Sequence, residues 1–225
     1  RQDVTEQLTF ERTGDKGYPW IIGHDFGWQV NASVVMKAFA DGNDRVWFVF
    51  DELLTRGLSA AEHARELIAL MRKRYQVGAE SLYVIGDPHT NKPDTDDSDY
   101  AQFRKAGLKT IKAKHGNIDV KHRFSMVNAL LRDAAGRRRL FVARDANGHP
   151  RCPKLVESFK SYCYSPNGKP EQYGKDSRRD PSHPTDALGY GLFPWERIRG
   201  AFQPPPAVEE TARRWRPGMG GFPVQ

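Results

Sequence analysis

Apolar positions fall into short blocks in the first fifty residues of the chain. The blocks Trp20–Asp25, Ala32–Ala40 and Arg45–Phe50 predict three β-strands. Between the last two, the tetrapeptide DGND (Asp41–Asp44) is typical of a hairpin turn. Because the connections are too short for a crossover helix, we predict that these strands form an antiparallel meander.

The pattern changes to helical spacing after residue 58. Ser59–Glu62 (SAAE) is a capping box, and the apolar positions that follow predict a helix over Ala60–Tyr75. Strands and helices then alternate. Further strands are predicted at Leu82–Gly86, Lys109–Ala113 and Leu140–Ala143, and further helices at Ala101–Ala106, from a cap at Asp119 to about Ala135, at Pro153–Tyr162 and at about Thr185–Arg197.

This order predicts an α/β fold with a mixed sheet, an antiparallel meander followed by parallel strands, flanked by helices. One arrangement that suits it places the first strand beside the fourth, so that both run in the same direction and end at the same edge. We expect a polar lead-in over residues 1–19, one folded domain over residues 20–200, and a Pro-rich linker with a flexible basic tail over residues 201–225.

Two aspartates end apolar strands beside glycines. Asp25 lies in GHDFG and closes the first strand, and Asp87 lies in VIGDP and closes the fourth. Both could be ordinary turn residues, since Asp and Gly are common in turns. If the strands are parallel neighbours, however, the two carboxylates lie close together and need a counter-ion. A hard divalent cation such as Mg²⁺ suits such oxygen ligands.

A third aspartate, Asp186, lies in HPTDALGY near the predicted start of the last helix. Taken alone, an Asp in a first helical turn is explained by the helix dipole. With Asp25 and Asp87 at one edge, a helix packed across that edge would add a third ligand. Three carboxylates from three elements suit two metal ions that act on a phosphodiester.

Composition adds a partner class to this picture. The chain has 225 residues, a formal net charge of +7 and only two cysteines, Cys152 and Cys163. The positive charge is compatible with an anionic partner such as nucleic acid but does not demand one. No apolar stretch has the length of a membrane span, so we expect a soluble, intracellular protein.

The three aspartate motifs, in this order and at these spacings, resemble the nuclease domain of bacteriophage terminase large subunits. The resemblance covers roughly residues 20–194 and includes TIKAKHGNIDVKHRFSMVNALL and CPKLVESFKSYCY. It implies a ribonuclease H-like fold and a Mg²⁺- or Mn²⁺-dependent endonuclease, with Asp25, Asp87 and Asp186 as catalytic metal ligands. It also implies that concatemeric viral DNA is cut during packaging, in the host cell cytoplasm.

The resemblance extends to partners. Terminases of this kind carry an ATPase domain and work with a portal and a small subunit on double-stranded DNA. The nearest approach to a P-loop, Gly168–Asp176, has the wrong spacing and no Ser or Thr after its Lys. We therefore expect the sequence to be the nuclease part alone.

Two departures from the family pattern concern the metals. Asn31 stands where many relatives have another acidic residue, and no extra carboxylate adjoins Asp186. We therefore expect two ions per site, the second weakly bound.

Basic residues beside the motifs are candidates for phosphate contact. An ordinary solvated strand end explains Lys112, Lys114 and His115 equally well, and the resemblance favours DNA contact. Arg178 and Arg179 precede Asp186 and can grip a DNA backbone. His89 and His183 flank two of the aspartates and can orient water or bind phosphate, although His183 can also simply cap the last helix.

Two alternatives stay open at this point. The first is another ribonuclease H-like nuclease, of the junction-resolvase or transposase type. The second is a non-catalytic module that docks on DNA or a portal, in which the acidic cluster only supports the fold.

Overall fold

The structure is a computed structural model that describes residues 19–27, 29–41, 44–87, 98–111, 120–161 and 181–197. The predicted tail over 201–225 and the lead-in over 1–19, apart from Pro19, lie outside the described residues. The predicted domain bounds therefore stay predictions.

Six strands form one mixed sheet in the part of the chain that the structure describes. They are β1 (Trp20–Asp25), β2 (Val30–Asp41), β3 (Asp44–Arg56), β4 (Leu82–Gly86), β5 (Lys109–Thr110) and β6 (Leu140–Val142). Their order across the sheet is β5-β4-β1-β2-β3-β6. Strands β1, β2 and β3 pair antiparallel, whereas β4 runs parallel to β1, β5 to β4 and β6 to β3.

The predicted meander and the central position of the first strand are both confirmed. Strands β2 and β3 are longer than their apolar blocks, because paired polar positions at both ends continue the ladder. Asp41 pairs with Asp44, as a tight hairpin requires, and the two residues between them lie outside the described residues. Strand β1 is shared by two neighbours and is fully buried over its first five residues.

The described residues form five α-helices: α1 (Ala60–Tyr75), α2 (Asp99–Lys105), α3 (Val120–Leu131), α4 (Pro153–Ser161) and α5 (Ser182–Arg197). Helix α1 has the predicted bounds, and its capping box is formed by Ser59 and Glu62. Helix α3 ends four residues before the predicted Ala135. There the Asp133 carboxylate accepts the backbone N–H groups of Ala135 and Arg137 and stabilises a turn instead.

The helices cover both faces of the sheet. On one face, α1 and α2 bury side chains such as Leu67, Met71 and Phe103 against the sheet. On the other face, α3, α4 and α5 contribute residues such as Leu130, Leu155 and Leu188. The side chains of β1 alternate between these layers: Ile22 belongs to the first and Ile21 to the second.

Two polar arrangements fix helices to the sheet. The carboxylate of Glu52 on β3 accepts the N–H groups of Lys154 (2.6 Å) and Leu155 (2.7 Å), which caps α4 from across the fold. Buried His63 of α1 is hydrogen-bonded to Thr55 (2.7 Å) and Ser33 (2.8 Å). None of the helices that the structure describes is long and apolar enough to cross a membrane.

Candidate active site at the ends of two parallel strands

Asp25 and Asp87 lie at the same edge of the sheet. In the parallel pairing of β1 with β4, His24 is the partner of Gly86, and the two aspartates are the next residue on each chain. Neighbouring strands are about 4.8 Å apart, so the two carboxylates start from adjacent positions. The hydroxyl of Tyr100 fixes the end of β4, since it accepts the N–H of Gly86 at 3.1 Å and donates to the carbonyl of Asp87 at 3.4 Å.

Helix α5 crosses β1 at unusually close range. A Cβ atom at Gly23 would lie 2.1 Å from the carbonyl oxygen of Ala187, and one at Gly191 would lie 2.7 Å from the Cα of Gly23. Only glycine fits at either position, so the two glycines allow direct contact between the backbones of helix and strand. The contact places Asp186, the residue before Ala187, beside the end of β1.

Asp25 points to the α5 side of the sheet. Ile21 and Gly23 face α5, and Asp25 is the next residue of the same parity along β1. From the first turn of α5, Nδ1 of His183 donates to Oδ2 of Asp25 at 2.7 Å. Both side chains are about 85% buried, with exposed fractions of 15% and 14%. This pair joins the helix directly to the strand end.

Asp186 is held by an arginine from α3. Nη2 of Arg123 donates to Oδ1 of Asp186 at 2.8 Å, and the guanidinium lies 4.1 Å from the ring centroid of Tyr190. Burial raises the pKa of Asp186 to about 6; Asp25 pushes it in the same direction, and Arg123 opposes the rise. Burial would lower the pKa of Arg123, but attraction to neighbouring anions outweighs it and the pKa is raised.

The three carboxylates all affect the pKa of Tyr190. Burial raises the pKa of this tyrosine, and the charge of Arg123 opposes the rise. Asp87, Asp25 and Asp186 each raise it further. The three acidic groups predicted from the sequence therefore all lie within electrostatic range of one residue of α5.

The start of α5 differs from the sequence prediction. The helix begins at Ser182, not near Thr185, so Asp186 is its fifth residue and lies beyond the first turn. The hydroxyl of Ser158 on α4 explains the early start, because it donates to the carbonyl of Pro181 and lies 2.5 Å from the hydroxyl of Thr185. The helix dipole therefore does not account for Asp186.

Several predicted residues cannot be placed. Lys112, Lys114, His115, Arg178, Arg179 and His89 lie outside the described residues. Their roles stay predictions.

Asn31 does not face the carboxylates. Its amide donates to the carbonyl of Leu58 at 3.0 Å, and it shares a face of β2 with Ser33, which contacts α1. An acidic residue at position 31 would face α1 and not the carboxylates. The presence of Asn31 therefore does not explain why a second ion beside Asp186 would bind weakly.

The donor set suits a hard divalent cation. Carboxylate oxygens are the ligands that Mg²⁺ and Mn²⁺ take in proteins. Burial is the main cause of the raised pKa of Asp186, and the neighbouring charge of Asp25 raises it further. Among the described residues, no three His, Cys, Asp or Glu side chains are already arranged to hold a metal ion. His183 and Arg123 instead engage one oxygen of Asp25 and one of Asp186.

Comparison with known proteins decides the family. Residues 22–193, more than half of the chain, match the family model described as the terminase RNaseH-like domain. The chain belongs to this family. The resemblance noted in the three aspartate motifs is confirmed.

Two solved structures share the fold of this terminase RNaseH-like domain. The nuclease domain of the bacteriophage P22 large terminase is 18% identical with a TM-score of 0.53, and the match covers 78% of this chain and 80% of that chain. The g2p large terminase nuclease domain from bacteriophage SPP1, crystallised with bound Mn, is 19% identical with a TM-score of 0.52, covering 86% and 94%. They confirm the ribonuclease H-like mixed sheet. No match was found among curated proteins.

Sequence reasoning about this terminase domain missed Arg123. The residue lies in the first turn of α3 within an unremarkable helical pattern, and nothing in its neighbours marks it. A signal was present in α5 instead. The glycine and aromatic residue at positions 189 and 190, three and four residues after Asp186, are one helical turn away and leave room for a partner from another element.

Proposed function

We propose that this chain is a metal-dependent DNA endonuclease, the nuclease part of a terminase large subunit. It would cut concatemeric viral DNA during genome packaging. One observation carries the proposal. Asp25 and Asp87 end neighbouring parallel strands, and the close contact of α5 with β1 brings Asp186 to the same edge.

Asp25, Asp87 and Asp186 would hold Mg²⁺ or Mn²⁺ through carboxylate oxygens. When bound, such ions activate water and stabilise the leaving oxygen of a phosphodiester. The second ion is expected to bind more weakly.

The chain's own residues would orient this site. His183 holds the carboxylate of Asp25 through its Nδ1–H, and Arg123 holds that of Asp186. Both contacts limit rotation of the carboxylates before a metal or DNA arrives, which reduces the reorganisation that binding requires.

Double-stranded DNA is the expected substrate. The net charge of +7 favours a polyanion, and the basic residues Lys112, Lys114, His115, Arg178 and Arg179 would contact its phosphates. An ATPase domain, a portal and a small terminase subunit are the further partners we expect, with the reaction in the host cell cytoplasm.

The test is Mn²⁺-dependent nicking of supercoiled plasmid by single variants. Asp25→Asn, Asp87→Asn and Asp186→Asn should each abolish nicking while retaining the circular dichroism spectrum of the parent. Asp145→Asn is the matched control, because Asp145 accepts backbone N–H groups and pairs with His149 in an exposed loop after β6, at the opposite edge of the sheet. Undiminished cutting by any of the three site variants would refute the assignment.

Two further measurements on the parent protein separate the alternatives. A docking module in which the carboxylates only support the fold predicts no Mn²⁺-dependent rise in melting temperature. A resolvase-type nuclease predicts that branched junctions are cut far better than linear duplex. Membership of the terminase family favours the packaging nuclease over both.

A further inference from the structure

One side of helix α5 forms a pocket that is filled by Arg123. Asp186, Gly189 and Tyr190 lie on the same side of the helix, three and four residues apart, and all three contact Arg123. A Cβ atom at Gly189 would lie 3.2 Å from Cδ and 3.3 Å from Cβ of Arg123. The glycine therefore leaves the space that the arginine stem fills, while the guanidinium lies over the ring of Tyr190.

This contact differs from an ordinary surface ion pair. Exposed ion pairs contribute little to stability, whereas the Arg123 side chain is only 6% exposed and that of Asp186 only 16%. Asp25 also attracts the guanidinium. A buried cation therefore lies beside Asp186 and within electrostatic range of Asp25.

The arginine is not fully used by the fold. Its Nε is buried and has no hydrogen-bond partner among the described residues. Most buried donors have a hydrogen-bond partner, and Nε of Arg139 is another exception among the described residues. Arg123 differs from it in that its charge lies on a carboxylate of the candidate site.

We propose that Arg123 is the resident cation of this site: it positions Asp186 and weakens the binding of a second divalent ion beside it. The inference rests on the proposed function, since it assumes that Asp25, Asp87 and Asp186 bind metal. The charge of Arg123 would explain why the second ion is expected to bind weakly, which Asn31 does not explain. Arg123 acts through Asp186 and is a positioning residue.

The test is calorimetric titration of the 225-residue chain with Mn²⁺ in the absence of DNA. The parent should bind two ions unequally. In Arg123→Met the side chain fills the same pocket without a charge. The affinity for the weaker Mn²⁺ ion should rise by about tenfold or more, because a unit charge a few ångströms from a dication has at least that effect. Arg123→Lys retains the charge and should keep the two ions unequal.

A double-mutant cycle shows whether the effect passes through Asp186. In the Asp186→Asn background the weaker ion has lost a ligand, so Arg123→Met should change Mn²⁺ affinity by much less than it does in the parent. The metal-free Arg123→Met variant should melt at a lower temperature than the parent, and adding Asp186→Asn should restore much of the loss, because no unpaired buried anion remains. A purely structural arginine would change the melting temperature but not the affinity for Mn²⁺.

The outcomes separate the two proposals. Two equal ions in the parent would overturn the role of Arg123 without any variant. Unchanged Mn²⁺ affinity in folded Arg123→Met would do the same and leave the nuclease assignment standing. No Mn²⁺ binding by the parent at all would overturn the proposed function and this inference together.

Discussion

Replacing Gly191 with alanine should damage cleavage far more than it damages the fold. A Cβ atom at position 191 would lie 2.7 Å from Cα of Gly23 and 2.8 Å from Cε of Met36. Carbon atoms in contact are normally about 3.5–4.0 Å apart. The methionine end can move, but Gly23 belongs to the central strand. Helix α5 must therefore shift from β1 by roughly 1 Å.

The expected loss of stability is small. Overpacking costs about 1–3 kcal/mol, and alanine in place of glycine inside a helix recovers about 1 kcal/mol. The expected loss of activity is larger, because Asp186 moves with α5 while Asp25 stays with β1. A misplacement of about 1 Å in a catalytic group lowers rates about 10²-fold.

Nicking of supercoiled plasmid at saturating Mn²⁺ measures the rate, and thermal unfolding measures the stability. Gly148→Ala is the matched control: its Cβ would meet nothing within 4 Å, but its φ of +79° makes alanine unfavourable by about 1–2 kcal/mol. It should lose similar stability and cut at the parent rate. If Gly191→Ala also cuts at the parent rate, the close helix–strand contact does not position the site.

Two further predictions concern the scaffold. Burial lowers the pKa of His63 from 6.5 to about 4. Between these pH values the imidazole is protonated only in the unfolded chain. The free energy of unfolding therefore falls as the pH is lowered, by up to ~1.4 kcal/mol per pH unit. His63→Gln should flatten the profile of unfolding free energy against pH, measured with urea from pH 6.5 to 4; an equally steep profile would contradict this. Glu52→Ala removes the cap of α4 and should cost about 1–2 kcal/mol in thermal unfolding. Glu157→Ala, which removes an exposed pair with Lys154, should cost at most a few tenths, and equal losses in the two variants would refute the capping role.

Much of the fold could be read from local signals. The bounds of β1, β4 and α1 agree with the predicted ones, because an apolar block closed by an aspartate, or a helix opened by a capping box, depends only on nearby residues. The extension of α5 to Ser182 could not be predicted, since its cause is Ser158, a residue distant in the chain. The end of α3 at Leu131 does have a local cause, because Asp133 stabilises the turn that follows the helix. The sequence prediction did not take this turn into account.

The sequence by itself determined the order of elements, the mixed sheet and the three aspartates as candidates, since hydrophobic periodicity and residue type are properties of the chain. Only the tertiary structure decided that Gly23 and Gly191 touch, that His183 holds Asp25, and that an arginine from α3 lies on Asp186. Contacts between distant segments depend on how helices pack across a sheet. That packing is set by the shape of both surfaces together, and neither segment encodes it alone.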